Sequence, residues 1–178
     1  RKEFAVKKSV KRATVHIAGM GLYELFINGQ RIGNQVLAPA PTDYRKTILY
    51  NTYDVTSLLQ TENAIGVTLG NGRQNYKPYK IPTFGYPKLR LNLIVEYADG
   101  SKETIATNTS WKLTTEGPIR SNNEYDGEEY DARLEMEGWN TNGFDDGAWK
   151  TPDVMEAPAG KLTAQQNPNI RVQETLKP

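Results

Sequence analysis

The sequence predicts an all-β fold, a sandwich or jelly roll of short strands. Three observations lead there. Apolar residues recur mostly with period two, the spacing of half-buried strands. Gly, Pro, Asn and Asp punctuate the chain at intervals suited to turns between such strands. Helical signals are confined to stretches of about one turn, too short to stand alone.

The elements follow in order. Ala13, Val15 and Ile17 alternate with Thr14, His16 and Ala18, and Tyr23, Leu25 and Ile27 alternate with Leu22, Glu24 and Phe26. Asn28-Gly29 comes next, a dipeptide that tolerates positive φ at both centres of a type I′ turn, so a hairpin should return through Gln30-Arg31-Ile32. Further strands are expected at 47–54, 63–69 and 88–97. In the last of these, Leu89, Leu91, Leu93, Val95 and Tyr97 share the face to be buried. Asp99-Gly100 turns the chain into strands at 102–106 and 111–114. Shorter strands are expected at 117–120, 129–134, 154–156, 161–165 and 170–175. One single-turn helix is expected at 54–59, with Asp54 or Thr56 as cap, and another at 144–149, capped by Asp145.

Composition narrows the chemistry. The 178 residues carry 22 Lys+Arg against 21 Asp+Glu, one His and no Cys. That length makes one domain the expectation, large enough for a core without disulfides. A formal net charge of +1 supplies no field for nucleic acid or anionic lipid. No apolar run approaches the roughly 18 to 20 residues of a membrane span. The start carries no signal-peptide pattern and is expected to be a cut inside a longer protein. Without Cys, and with His16 alone of its type, cysteine nucleophiles and most transition-metal sites drop out. Carboxylates remain as candidate catalytic groups.

His16 falls on the polar phase of its strand, where a structural role is expected. The acidic run Tyr125-Asp126-Gly127-Glu128-Glu129-Tyr130-Asp131 offers enough carboxylates for glycoside hydrolysis. A solvated loop, however, has no apolar wall to keep one acid protonated. Backbone capping, pairing with Arg120 and Arg133, sugar hydroxyls or a hard cation such as calcium suit these acids better. The least regular stretch, Arg73–Pro87, sets Tyr76, Tyr79, Phe84 and Tyr86 among Pro78, Pro82 and Pro87. Rings presented there could stack on a sugar's C–H face while Asn71, Gln74 and Asn75 take its hydroxyls.

Several segments resemble a known family. Tyr53-Asp54-Val55-Thr56-Ser57-Leu58-Leu59 with Glu62-Asn63-Ala64-Ile65-Gly66-Val67 is similar to a segment of jelly-roll modules in multidomain glycosidases. Trp139 followed by Phe144-Asp145-Asp146-Gly147-Ala148-Trp149 resembles a run found in galactose-binding-like β-sandwiches. Together with Gly21–Gly29, Thr42–Lys46, Tyr125–Arg133 and the closing Gly160–Val172, they resemble the N-terminal domain of bacterial α-L-rhamnosidases, glycoside hydrolase family 78. The resemblance covers nearly the whole chain. It implies a galactose-binding-like jelly-roll β-sandwich with one or two single-turn helices, residues 1–178 forming one module of a longer multidomain glycosidase.

The resemblance also implies a function. Parent enzymes of this family hydrolyse terminal α-L-rhamnose from glycosides or pectic polysaccharides with inversion, using an acid and a base in a downstream (α/α)₆ barrel. The chain itself is then expected to be a non-catalytic accessory domain that recognises L-rhamnose-containing carbohydrate, with calcium an optional ligand. The alternative is a purely structural domain packed on the downstream domains. The candidate sugar-binding residues are Asp43, Asn71, Arg73, Tyr76, Asp126 and Glu128. Asn71 would hydrogen-bond, Tyr76 would stack, and Arg73 would fork onto a uronate carboxylate. Asp126 and Glu128 would take sugar hydroxyls or calcium. The family commonly places Trp after Gly-Asn-Gly, where this chain has Arg73. Losing such a ring removes about 1 to 3 kcal/mol of stacking, against about 4 kcal/mol for a millimolar ligand. A polysaccharide substrate places the parent in the periplasm or outside the cell.

Overall fold

Two sheets, antiparallel but for one edge pairing, pack face to face around the core. The computed structural model describes residues 1–73 and 86–177. Its strands are β1 (Lys2–Ala5), β2 (Val10–Met20), β3 (Leu22–Ile27), β4 (Gln30–Arg31), β5 (Thr47–Asp54), β6 (Glu62–Gly70), β7 (Lys88–Tyr97), β8 (Lys102–Ala106), β9 (Ile119–Asn123), β10 (Gly127–Tyr130) and β11 (Lys161–Ala164). One sheet runs β1-β6-β3-β4, the other β11-β5-β2-β7-β8, and β9 with β10 forms a separate hairpin. Among the described strands, only β11 on β5 is a parallel pairing.

The alternation in the sequence sets which residues meet between the sheets. Val15 and Ile17 of β2, with Leu91, Leu93 and Val95 of β7, face Leu25 and Ile27 of β3 and Ile65 of β6 in one buried cluster. Each such side chain contributes about 1.5–3 kcal/mol on burial, so this stripe dominates the fold. The expected hairpin is present: Asn28 has φ 50° and Gly29 φ 82°, and Phe26 pairs with Arg31. The outer surface of the five-stranded sheet carries a smaller cluster of Ala18, Met20, Tyr44 and Ile48.

A buried amide pair ties the hairpin to the start of β6. Asn63 is fully buried. Its Oδ1 accepts from the Gln60 N–H at 2.8 Å and from Asn28 Nδ2 at 2.9 Å, and its Nδ2 donates to the Gln60 carbonyl. Asn28 in turn accepts from the Ala64 N–H and donates to the Leu58 carbonyl. The amides therefore hold the one-turn 3₁₀ helix Thr56–Leu58, where Asp54 accepts the Thr56 N–H.

Elsewhere the structure departs from expectation. Residues 111–114 and 170–175 contribute only single bridges, Leu113 to Lys150 and Arg171 to Gln35, and 154–156 form no strand. Expected strands at 117–120 and 129–134 become the β9–β10 hairpin, followed by a 3₁₀ turn at Ala132–Leu134. Residues 144–149 form a turn rather than a helix, with Asp145 accepting the Gly147 N–H. That stretch wraps the start of β1: the buried Arg1 guanidinium reaches Asp146, Glu3 and the Phe144 and Thr141 carbonyls. His16 is structural, sharing a 3.0 Å hydrogen bond with Thr52 and meeting Tyr50 edge-on.

Candidate functional site

The loop after β6 and the β9–β10 hairpin meet through an asparagine pair. Asn71 donates its backbone N–H to Asn122 Oδ1 at 2.7 Å and its side-chain amide to the Asn122 carbonyl at 3.2 Å. Two residues on, Arg73 Nε donates to Glu124 at 2.5 Å. That bond and the negative charge of Glu124 push the guanidinium pKa above its ordinary value. Among the described residues, that bond leaves the four N–H donors on the terminal nitrogens of Arg73 to the fork.

A shallow cleft of about 50 Å³ opens beside this junction, bordered by Leu22, Pro39, Thr42, Tyr44, Arg73 and Glu124. Its floor depends on glycine. Gly21 has φ +125°, and a Cβ there would lie 2.3 Å from the Gly70 carbonyl oxygen, so no side chain fits. The Gly21 N–H donates to the Tyr44 hydroxyl at 3.1 Å, which pins the 39–44 loop against the end of β2. The volume lies well below the roughly 300–1,000 Å³ of pockets that enclose a ligand. What the cleft can offer is one wall for the edge of a polar ligand.

The structure brings some predicted site residues together and separates others. Asn71 and Arg73 both join the hairpin. Glu128 lies directly across from Asn122 in the β9–β10 ladder, so the two share a face. Asp126 sits in the hairpin turn and accepts from Asn123 Nδ2 at 3.0 Å. Asp43 lies between two cleft residues, but Arg45 holds its carboxylate through Nε and Nη2. Those bonds lower its pKa to about 2. Tyr76 lies outside the described residues. Asn122 and Glu124 are partners that the sequence reading missed. They lie 51 residues from Asn71 and Arg73, and no periodicity links positions that far apart.

Cation and acid chemistry can be weighed on the same geometry. Among the described residues no three His, Cys, Asp or Glu side chains converge. Asp126 and Glu128 thus supply at most a few of the six to eight oxygens calcium takes, and these residues alone do not fit a calcium centre. Every described carboxyl with a displaced pKa (Asp43, Asp54, Asp99, Asp131) is displaced downward by hydrogen bonds to its ionised form. A glycosidase general acid needs the opposite displacement.

Comparison with known proteins gives this arrangement its context. Residues 8–174 match the family described as "Alpha-L-rhamnosidase N-terminal domain". The chain belongs to this family. As an α-L-rhamnosidase N-terminal domain, it is 37% identical over its whole length to an α-L-rhamnosidase of Formosa agariphila. It is 43% identical over 99% of its length to one of Streptomyces avermitilis. These matches cover 20% and 18% of the relatives, so the chain spans about a fifth of the curated relatives it matches.

The solved structures agree. The α-L-rhamnosidase from Dictyoglumus thermophilum superposes with a TM-score of 0.90 at 49% identity, over 99% of this chain and 20% of that one. The Streptomyces avermitilis enzyme complexed with L-rhamnose gives 0.87 at 36% identity, over 97% and 17%. A Pleurotus ostreatus lectin complexed with GalNAc shares the fold alone, at TM-score 0.53 and 22% identity.

Proposed function

We propose that this chain is a non-catalytic module of a longer α-L-rhamnosidase, and that it contacts L-rhamnose-containing carbohydrate at the cleft beside the Asn71–Asn122 junction. The observation that carries the reading is the convergence of Asn71, Arg73 and Glu128 on one hairpin next to a cleft. Amide, guanidinium and carboxylate groups there offer donors and acceptors for hydroxyls. The relative solved with L-rhamnose supports the substrate class. Catalysis is assigned to the part of the parent outside this module, in keeping with the downward displacement of the described carboxyl pKa values. A polysaccharide substrate places the parent in the periplasm or outside the cell.

Glu124 sharpens the expectation for Arg73. A uronate would meet a guanidinium already paired with a carboxylate, so selectivity for acidic sugars should be slight. Binding through so shallow a cleft should be near millimolar, worth about 4 kcal/mol. Such an affinity is useful in a tethered module, where the effective concentration of a linked partner is also around millimolar. The size of the cleft favours a second reading, in which the module only packs on its parent. Titration of L-rhamnose into isotope-labelled protein, with calcium and then with chelator, separates them. Amide shifts at Asn71, Arg73 and Glu124 are expected. Their absence at about 50 mM sugar, far above the expected near-millimolar constant, would leave the packing role.

A further inference from the structure

The sequence carries three Asn-Gly pairs, Asn28-Gly29, Asn71-Gly72 and Asn142-Gly143. In such a pair the glycine has no side chain to keep its backbone nitrogen away from the asparagine side-chain carbon. The structure holds the three pairs differently. Asn28 Nδ2 donates to the Leu58 carbonyl and to Asn63 Oδ1, its Oδ1 accepts the Ala64 N–H, and the Gly29 N–H donates to the Asn140 carbonyl. Asn71 Nδ2 donates to the Asn122 carbonyl, and Gly72 is buried. Asn142 and Gly143, by contrast, are both exposed. Among the described residues no hydrogen bond holds the Asn142 side-chain amide, and a Cβ on Gly143 would meet nothing within 4 Å.

A carboxylate also stands at the nitrogen that would attack. The Gly143 N–H donates to Glu3 Oε1 at 2.8 Å, within the reach of a general base. Arg1 Nη2 shares that oxygen and keeps the carboxylate in place. The N–H lies in the plane of the peptide, whereas the lone pair that attacks carbon stands perpendicular to it. The proton can therefore pass to Glu3 while the nitrogen closes on Asn142.

We infer that Asn142 is a site of spontaneous deamidation, with Glu3 taking the proton. The Gly143 nitrogen bonds to Asn142 Cγ, the Cγ–Nδ2 bond breaks, and ammonia leaves with the transferred proton. Water then opens the cyclic imide at either carbonyl, leaving aspartate or isoaspartate. Isoaspartate lengthens the main chain by one atom between Thr141 and Phe144, whose carbonyls both hold the buried Arg1 guanidinium. The modification therefore loosens the segment that wraps the start of β1.

Incubation of the 178-residue chain at mildly alkaline pH, followed by digestion and mass spectrometry, tests this. Conversion of amide to acid should run about tenfold or more faster at Asn142 than at Asn28 or Asn71, since those two must open locally first. The advantage should vanish in urea, where the pairs share one unfolded environment. Equal rates in the folded chain would overturn the inference. Glu3→Gln should slow conversion at Asn142 about tenfold or more in the folded chain and leave the rate in urea unchanged; an unchanged or higher folded rate would overturn the role of Glu3. Incubated protein should also show amide exchange several-fold faster at Gly143, whose acceptor is Glu3, and at Lys112, which pairs with Arg1. Asn142→Gln, which removes the reactive pair, should show no such change on incubation, and the same acceleration in that variant would overturn the loosening.

Discussion

Gly66 is the position where one added carbon should be felt most clearly. It lies opposite Phe26 in the β3–β6 ladder, on the outer surface of the four-stranded sheet. Trp139 covers that spot, meeting the Phe26 ring edge-on at 5.5 Å. A Cβ on Gly66 would sit 2.6 Å from Trp139 Cζ3 and 2.8 Å from Asn140 Cβ. Carbon atoms prefer about 3.5–4.0 Å, so the indole must retreat by about 1 Å. Asn140 cannot follow freely, because its carbonyl accepts the Gly29 N–H at 3.0 Å. Overpacking of this kind costs about 1–3 kcal/mol, and replacing Gly with Ala returns about 0.4–1 kcal/mol through the unfolded chain. The net loss for Gly66→Ala should be about 1–2 kcal/mol, a fall of roughly 2–8 °C in melting temperature. The decisive assay is a double-mutant cycle by urea unfolding. In a Trp139→Ala background the clash is gone, and Gly66→Ala should become neutral or mildly stabilising. A coupling below about 0.5 kcal/mol, the limit of additivity for independent sites, would refute the assignment of the Trp139 segment as packing that Gly66 admits.

Asn63→Ala should cost about 1–3 kcal/mol, since it strands an Asn28 amide hydrogen in the interior and removes both bonds to the Gln60 backbone; chemical denaturation measures it, and a loss under about 0.5 kcal/mol would contradict the buried network. Asp43, Asp54, Asp99 and Asp131 all have folded-state pKa values below the usual 3.8. Their contribution is therefore complete above about pH 4 and lost as pH falls through the folded values, about 2 for Asp43. Urea midpoints should decline across that window, and Asp99→Asn, which drops the carboxylate that Lys8 and Ser101 hold, should flatten the decline. Asn122→Ala should cost only about 1 kcal/mol while accelerating exchange of the Asn71 amide, whose acceptor it removes; unchanged exchange there would uncouple the hairpin from the cleft.

The parts of this fold that were legible in the sequence are those where period-two alternation coincides with a two-sided sheet. β5 and β7 occupy the expected residues because each carries buried side chains against exposed or half-buried ones, and β8 does so because the Asp99-Gly100 turn sets its start against β7. The chain beyond Trp111 was read less well, since much of it covers outer surfaces through isolated contacts. Trp139 on Gly66 and Arg1 on Asp146 join residues about 70 and 145 positions apart. Alternation carries no record of such pairings. β1 was missed because its four residues are all only half-buried, and parallel pairing of β11 with β5 leaves no turn between neighbours to betray it. At the candidate site, Asn71 and Arg73 stood out by resemblance, whereas Asn122 and Glu124 became visible only once the hairpin was folded beside them.

The segment from Gln35 to Tyr44 joins the cleft to an aliphatic groove lined by Leu37, Pro168 and Ile170. Pro41 lines both the cleft and the aliphatic groove, and between the buried Gln35 amide and the Tyr44 hydroxyl on Gly21 the loop is held at each end. Each end is tied to a different part of the sandwich: Gln35 to β5 and Tyr44 to the β2–β3 turn. An accessory module with weak affinity gains most from such a layout. A wall already held at both ends loses little freedom when a sugar meets it.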